Sequence, residues 1–320
     1  MNVFTKKINE FTQGEKIEGY FLIKSVNCKT ANANGRKYLD FLICDSTGEI
    51  SGKLWEVNDE NENLFHENSI IKVRGTVVAW QSLLQLKIEK IRNANSEDDV
   101  NIEDYVQSAP YKSEDMFNEI NDYISLINNN DIRQIVLEIF KQNEENLMYY
   151  PAAKKNHHSI RGGLLYHTLT MLKSAKALSS IYTFLNTDLL YAGAILHDLA
   201  KIKEMQSNEL GIVNDYSIEG TLLGHITLGI KEIEVIGECL NIDKSVVVLL
   251  QHMVLSHHYE PEYGSPIKPM IPEAEMLHYL DVMDARMYDM KKAISETNKG
   301  EFSEKIWSLE SRRIYNHGLK

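Results

Sequence analysis

His197 and Asp198 stand side by side in Ala192–Lys201 (AGAILHDLAK), a run that is otherwise apolar and reads as a buried helix. An imidazole next to a carboxylate in such a setting is costly unless something compensates both. A divalent cation would do so. More histidines flank the pair: His157, His158 and His167 before it, and His225, His252, His257, His258 and His278 after it. Nine of the chain's 11 histidines fall between 157 and 278. Asp281 lies in a further helical segment, with His278 and Asp284 one turn to either side. Imidazole and carboxylate together suit Mn, Fe, Co, Ni or Zn. Four or more such ligands can hold one ion, and the extra histidines a second. Such a site points to hydrolytic chemistry.

Ligands so far apart in sequence must be brought together by several helices, and the pattern after residue 112 supplies them. Ser113 is a candidate N-cap, followed by Met116, Phe117, Ile120, Tyr123, Ile124 and Ile127 at helical spacing. Asp131 is a candidate cap for the next helix, with Ile135, Val136, Ile139 and Phe140. Further helices are predicted near 163–182, 187–204, 219–240, 242–256, 272–295 and 302–315, with no strand-rich segment after 112.

The front of the chain reads differently. Strands are predicted at Ile17–Val26, Lys37–Cys44, Glu49–Trp55, Ser69–Val78 and Leu83–Ile91, with turn signals at Asn32–Gly35 and Asp45–Gly48. A polar, helix-compatible stretch covers 56–66, between the third and fourth strands. Five strands with that interruption are the layout of an OB-fold barrel. The predicted organisation is therefore an all-β barrel over 1–92, an acidic linker over 93–112 and an all-α domain over 113–320. A length of 320 residues fits two domains.

Composition narrows the setting. The chain is 43% hydrophobic and 25% charged, ordinary for a globular protein, and no apolar run approaches the ~18 residues of a membrane span. The polar N-terminus does not read as a secretory signal, so a cytoplasmic location and no membrane partner are expected. The three cysteines, Cys28, Cys44 and Cys239, are scattered and form no C-x-x-C motif. The net charge of −12 argues against loose binding to nucleic acid, whose affinity comes mostly from phosphate neutralisation. Residues 11–95, however, carry eleven basic and eleven acidic side chains, so the acidic excess lies elsewhere.

His167, His197-Asp198 and Asp281, in that order, resemble the signature of the HD-domain metal-dependent phosphohydrolases. His225 and His257-His258 resemble the members that hold more than one ion, and His197-Asp198-x-x-Lys201 is also familiar there. The barrel placed before this domain, with His157-His158, Gly162-Gly163-Leu164, His257-His258 and Gly264-Ser265-Pro266, is similar to the YhaM-type 3′-to-5′ exoribonucleases. That resemblance runs from about 14 to 300 and implies roles position by position. His167, His197, Asp198 and Asp281 would hold a first ion. His225, His257 and His258 would complete a second site, with the choice between 257 and 258 open. The ions would be divalent, two in number, with Mn²⁺ the first choice and Fe, Co, Ni or Zn the others. His197, Asp198 and Lys201 would serve catalysis, Lys201 and Arg161 meeting phosphate oxygens. His158 could also reach the site.

The implied activity is hydrolysis of single-stranded RNA, and of single-stranded DNA as an open extension, from the 3′ end. The barrel would bind the strand. Lys24, Lys29, Arg36, Lys37, Tyr38, Lys53, Trp55 and Trp80 are the candidates, because OB barrels hold single strands with basic groups and stacked aromatics. Lys53 and Trp55 alternate with Ile50, Gly52 and Leu54, which puts them on the non-core face. The bland reading of Tyr38, Trp55 and Trp80 is core or interface. Two other functions fit the same residues: an HD phosphohydrolase acting on a nucleotide or cyclic dinucleotide, and a non-catalytic single-strand-binding protein. The cyclic-dinucleotide branch carries Gly-Tyr-Pro after its His-His pair, where this chain has Tyr263-Gly-Ser-Pro266. A homo-oligomer stays open.

Overall fold

In the computed structural model, residues 6–31, 35–55, 57, 63–81, 83–98, 100, 104–154 and 157–319 are described. The turn predicted at Asn32–Gly35 and the helical stretch predicted over 56–66 fall largely outside them. The chain divides into two compact units, Met1–Gln107 and Ser108–Lys320.

The first unit is a closed five-stranded barrel. Its strands are β1 (Lys16–Thr30), β2 (Lys37–Asp45), β3 (Gly48–Trp55), β4 (Ile70–Trp80) and β5 (Leu83–Asn93), in the order β1-β2-β3-β5-β4. Alternation drives it. Leu39, Phe41 and Ile43 of β2, Ile50 and Leu54 of β3, and Ile71, Val73 and Val77 of β4 all point into one core with Phe21, Ile23, Leu86 and Ile88. This is the OB-fold topology, and every strand but β3 runs one to four residues past its predicted C-terminal end. The acidic stretch after β5 begins by folding back on the barrel. Ala94 N–H donates to the Ile70 carbonyl (2.8 Å), and Asp98 accepts both guanidinium nitrogens of Arg92 (2.7 Å each) and the Tyr20 hydroxyl (2.5 Å).

The second unit is helical: α1 (Ser113–Ser125), α2 (Asn130–Gln142), α3 (Glu144–Leu147), α4 (Gly163–Ser179), α5 (Thr187–Leu196), α6 (Lys201–Glu204), α7 (Ile218–Cys239), α8 (Lys244–Ser256) and α9 (Pro272–Ser295). Every residue of α5 from Asp188 to Leu196 is buried, as expected of a helix that is apolar all round. Asn186 caps it, accepting from Leu189 N–H (3.1 Å), while Glu273 of α9 accepts Asn186 N–H (2.6 Å). The central helix is thus pinned at its start and delivers His197 and Asp198 at its buried end.

Four expectations are corrected. The helix predicted over 187–204 is interrupted at 197–200, so α5 and α6 are separate. Strands do occur after 112: β6 (Met205–Ser207) and β7 (Val213–Tyr216) form an antiparallel hairpin. The segment 302–315 is no α-helix but an arm that doubles back through a 3-10 turn at Trp307–Leu309, with isolated bridges Phe302–Tyr315 and Ile306–Arg312. Neither proposed cap serves as one. Ser113 spends its hydroxyl on the Met148 carbonyl (2.6 Å), and Asn129, not Asp131, accepts from Ile132 N–H (3.1 Å).

Candidate metal centre

Five helical elements converge on Asp198. From α4 comes His167, from the end of α5 His197, from α7 His225, from the end of α8 His257 and His258, and from α9 Asp281. The two carboxylate oxygens of Asp198 face different partners. Oδ2 lies 3.5 Å from His197 Nε2 and 3.9 Å from His167 Nε2; Oδ1 lies 3.4 Å from His225 Nε2 and 3.8 Å from His257 Nε2. His167 Nε2 is also 3.3 Å from Asp281 Oδ1 and 3.3 Å from His197 Nε2. Ligand atoms of Asp198, His225, His257 and His258 lie within 4.8 Å of one another, as do those of His167, His197 and Asp198.

The orientation of these rings has local causes. His197 Nδ1 bonds the Ala194 carbonyl (3.0 Å) and His257 Nδ1 the Val254 carbonyl (2.7 Å), each one helical turn back. A donor at Nδ1 leaves Nε2 as the basic nitrogen, aimed at the cluster. His225 is placed by a break in α7: Gly224 has φ 70° and ψ 161°, backbone that is essentially glycine-only. The break frees His225 N–H, which donates to Glu204 Oε1 (3.1 Å), and the same oxygen lies 3.2 Å from His225 Nδ1. Asp284 Oδ2 bridges His167 Nδ1 (2.7 Å) and His158 Nε2 (2.8 Å). His278 Nδ1 bonds the His257 carbonyl (2.8 Å), so it supports the His257-His258 corner and not Asp281. His252 accepts Met270 N–H (2.9 Å) away from the cluster.

Three buried polar atoms in this group lack a hydrogen-bond partner: Asp198 Oδ1, His225 Nε2 and His257 Nε2. They are the atoms that face one another. Orphaned buried acceptors of this kind are costly, and a cation among them would satisfy all three. The donor set, nitrogen and carboxylate oxygen, is that of a transition-metal or zinc site.

Electrostatics agree with the geometry. Burial pushes His197 and His257 down, which keeps them neutral near pH 7, the form a metal ligand needs. Burial works to raise Asp198, but Lys201 first, then His197, His225 and His257, hold it well below the usual carboxylate range. His167 goes the other way. Burial favours its neutral form, yet Asp281 and Asp284 overturn this and push it up to about 10.

Lys201 Nζ lies 2.6 Å from Asp198 Oδ2 and lines a cleft of about 420 Å³ together with Ala152, Ala153, Lys154, Glu204, Met205, Tyr216 and His225. Arg161 is not in that lining; its Nε donates to the Glu209 carbonyl (3.1 Å). Glu204 is the site residue that sequence reasoning missed. Its signal was slender: an acid one turn after Lys201 and two turns after His197.

On the barrel, strand register gathers most of the candidate strand-binding residues. Lys29 pairs with Tyr38, Tyr38 with Trp55, Thr30 with Lys37, and Asp40 with Lys53. Tyr38 and Trp55 stack at 4.6 Å and 27°, with Lys53 Nζ 5.6 Å from the Tyr38 ring. Trp55 is 43% exposed, so it belongs to the outer face and not to the core. Arg36 immediately precedes this row. Lys24, ion-paired with Glu49, and Trp80, opposite Leu83 at the β4–β5 hairpin, lie elsewhere on the barrel.

A barrel of OB topology followed by a helical unit built around a His-Asp pair defines an OB-fold–HD-domain protein. Models for the HD domain and the OB-fold nucleic acid binding domain match residues 164–286 and 22–94, and a TraI_2 helicase-family model matches 102–189. The 3′-5′ exoribonuclease YhaM of Geobacillus sp. (strain WCH70) is 44% identical over 310 residues, spanning 97% of this chain and 94% of that protein. The chain belongs to the family of the 3′-5′ exoribonuclease YhaM. Among solved structures, the second OB-fold domain of replication protein A from Methanococcus maripaludis is 21% identical, covers 30% of this chain and 98% of that one, and has a TM-score of 0.23. No helix among the described residues is long and apolar enough to cross a membrane.

Proposed function

We propose that this protein is a divalent-cation-dependent hydrolase that removes nucleotides from the 3′ end of single-stranded RNA, and of single-stranded DNA where it meets it. The observation that carries the reading is the pair of ligand sets sharing Asp198, one on each carboxylate oxygen. His167, His197, Asp198 and Asp281 would hold one cation; Asp198, His225, His257 and His258 would hold the other, with Mn²⁺ the first choice and Fe, Co, Ni or Zn also compatible with mixed nitrogen and oxygen donors. Bound there, two cations supply Lewis acidity toward a phosphodiester and water of lowered pKa. The chain's own groups do the rest. Glu204, Asp284 and the carbonyls of Ala194 and Val254 fix the rings. Lys201, at the cleft floor, meets a non-bridging phosphate oxygen. The row Lys29, Arg36, Lys37, Tyr38, Lys53 and Trp55 holds the upstream strand by charge and stacking. A cytoplasmic setting is consistent with this substrate.

The test uses 5′-labelled and 3′-labelled RNA of one sequence, with each of Mn²⁺, Mg²⁺, Fe²⁺, Co²⁺, Ni²⁺ and Zn²⁺. A 5′-labelled strand shortening stepwise, while the 3′ label leaves at once as mononucleotide, is the expected result. RNA left intact with every cation, or digested equally by Asp198→Ala, sinks the reading.

A further inference from the structure

The cleft that opens from the metal centre has two walls that no part of the ligand set explains. One wall is Ala152–Lys154; the other is the β6–β7 hairpin, which contributes Met205 and Tyr216. The walls are tied together. The Tyr150 hydroxyl donates to the Met205 carbonyl (2.7 Å), and Ser217, next to Tyr216, donates its N–H to the Glu204 carbonyl (2.9 Å) and its hydroxyl to the Lys203 carbonyl (2.7 Å). Met205 and Tyr216 are cross-strand partners. Gly220 permits this closeness: a Cβ there would stand 2.1 Å from the Glu204 carbonyl oxygen. Tyr216 is therefore held at a fixed distance from Lys201 and Glu204, and so from Asp198.

Tyr216 nevertheless leaves 42% of its surface exposed, an odd fate for a large ring in so well anchored a position. Lys154 Nζ lies 5.5 Å from the centre of that ring and 3.5 Å from Asp215 Oδ1, whose side chain is 78% exposed. The cleft thus offers an aromatic ring with an ammonium over one face, and a second ammonium, Lys201, at the metal end. Two cationic groups flanking one aromatic ring, with its other face left for stacking, match two successive phosphates flanking one base. A volume of about 420 Å³ lies within the range of small-ligand sites and is of nucleotide size.

We propose that Tyr216 and Lys154 form the subsite for the nucleotide on the polymer side of the scissile phosphate, Tyr216 stacking its base and Lys154 holding its 5′ phosphate. This rests on the ribonuclease reading above and deepens it. A free mononucleotide lacks the second phosphate, so the subsite selects a strand. Stacking is sequence-tolerant because every base has a π-face, which suits an enzyme that must step along any sequence. Both side chains touch the substrate away from the reacting atoms, so they act on binding and not on the chemical step.

Steady-state digestion of a ten-nucleotide RNA tests it, with Tyr216→Ala, Tyr216→Phe, Lys154→Gln and Lys154→Arg. Tyr216→Ala is expected to raise KM about five- to a hundredfold, with a much smaller change in kcat. Tyr216→Phe, which keeps the ring, restores KM. Lys154→Gln lowers the slope of log KM against log salt by about 0.7, the share of one phosphate contact on a single strand, and Lys154→Arg restores it. If the wild type digests RNA while Tyr216→Ala keeps its KM within twofold, or Phe is no better than Ala, or the salt slope is unchanged in Lys154→Gln, the subsite is wrong and the ribonuclease reading stands. If the wild type digests no RNA, the reading fails and the subsite with it.

Discussion

Lys201 Nζ and Asp198 Oδ2 form a buried ion pair of 2.6 Å, three residues apart, on the carboxylate that the two candidate ligand sets share. The ammonium provides the positive charge that a cation would otherwise provide. Removing one partner of such a pair strands the other charge, at a cost of about 3–5 kcal/mol. Lys201→Met is therefore expected to lose about that much stability in cation-free protein, read by urea unfolding. Adding millimolar Mn²⁺ recovers most of it, because ligand binding to the folded state raises stability by mass action and neutralises Asp198 directly. Mn²⁺ that stabilises neither the wild type nor Lys201→Met would mean that no cation reaches Asp198.

Asp284 supports the site without facing Asp198. It holds His167 by Nδ1 at 2.7 Å and is itself held by His158 at 2.8 Å. A carboxylate in this position fixes the ring and raises its basicity, and losing it commonly costs ten- to a hundredfold in metal affinity. Asp284→Asn keeps the shape and is expected to weaken Mn²⁺ binding about that much, measured by titration calorimetry or by the paramagnetic signal of free Mn²⁺. Unchanged affinity would reduce Asp284 to a packing residue.

Tyr38 and Trp55 are cross-strand partners stacked at 4.6 Å. If they form one platform for bases, each single alanine variant weakens RNA binding by about 1–3 kcal/mol, and the double variant by clearly less than the sum, since contacting residues couple. Fluorescence anisotropy with labelled RNA gives the three affinities. Strict additivity would mean the two rings act on separate parts of the strand, or on none.

The legibility of the chain was uneven for physical reasons. The His/Asp cluster could be read because so many imidazoles and carboxylates in apolar helical segments are costly unless they face one another. The barrel could be read because one buried face per strand forces alternation. The β6–β7 hairpin could not: Met205-Gln-Ser and Val213-Asn-Asp-Tyr are short and lack alternation, and the hairpin exists through Tyr150, Ser207 and Ser217, contacts set by tertiary structure. Phe302, Ile306 and Leu309 mimic a helical period, yet only Leu309 of the three is buried. A short helix with no face to bury has little to hold it, and the arm instead pairs Ser303 with Ile314. Glu204 was barely legible because its contact depends on the glycine break that turns His225 toward it.

Two histidines with opposite shifts give the pH response of the cation-free protein its two flanks, and His158, His197, His257 and His258, also pushed down by burial, add to the acid one. Burial pulls His157 down to about 4, so its contribution to stability is present above the unfolded value of about 6.5 and is lost as pH falls toward 4. His167, raised to about 10, contributes fully below about 6.5 and loses that contribution as pH rises through 10. Stability should therefore peak near pH 6.5, with both flanks visible in thermal melts. A cation held by His167 must displace its proton, so binding releases protons and tightens as pH rises toward 10. Saturating Mn²⁺ should accordingly flatten the alkaline flank while leaving the acid flank, and calorimetry in buffers of different ionisation enthalpy should show net proton release at pH 7. An alkaline flank that survives saturating Mn²⁺ would place His167 outside the ligand set.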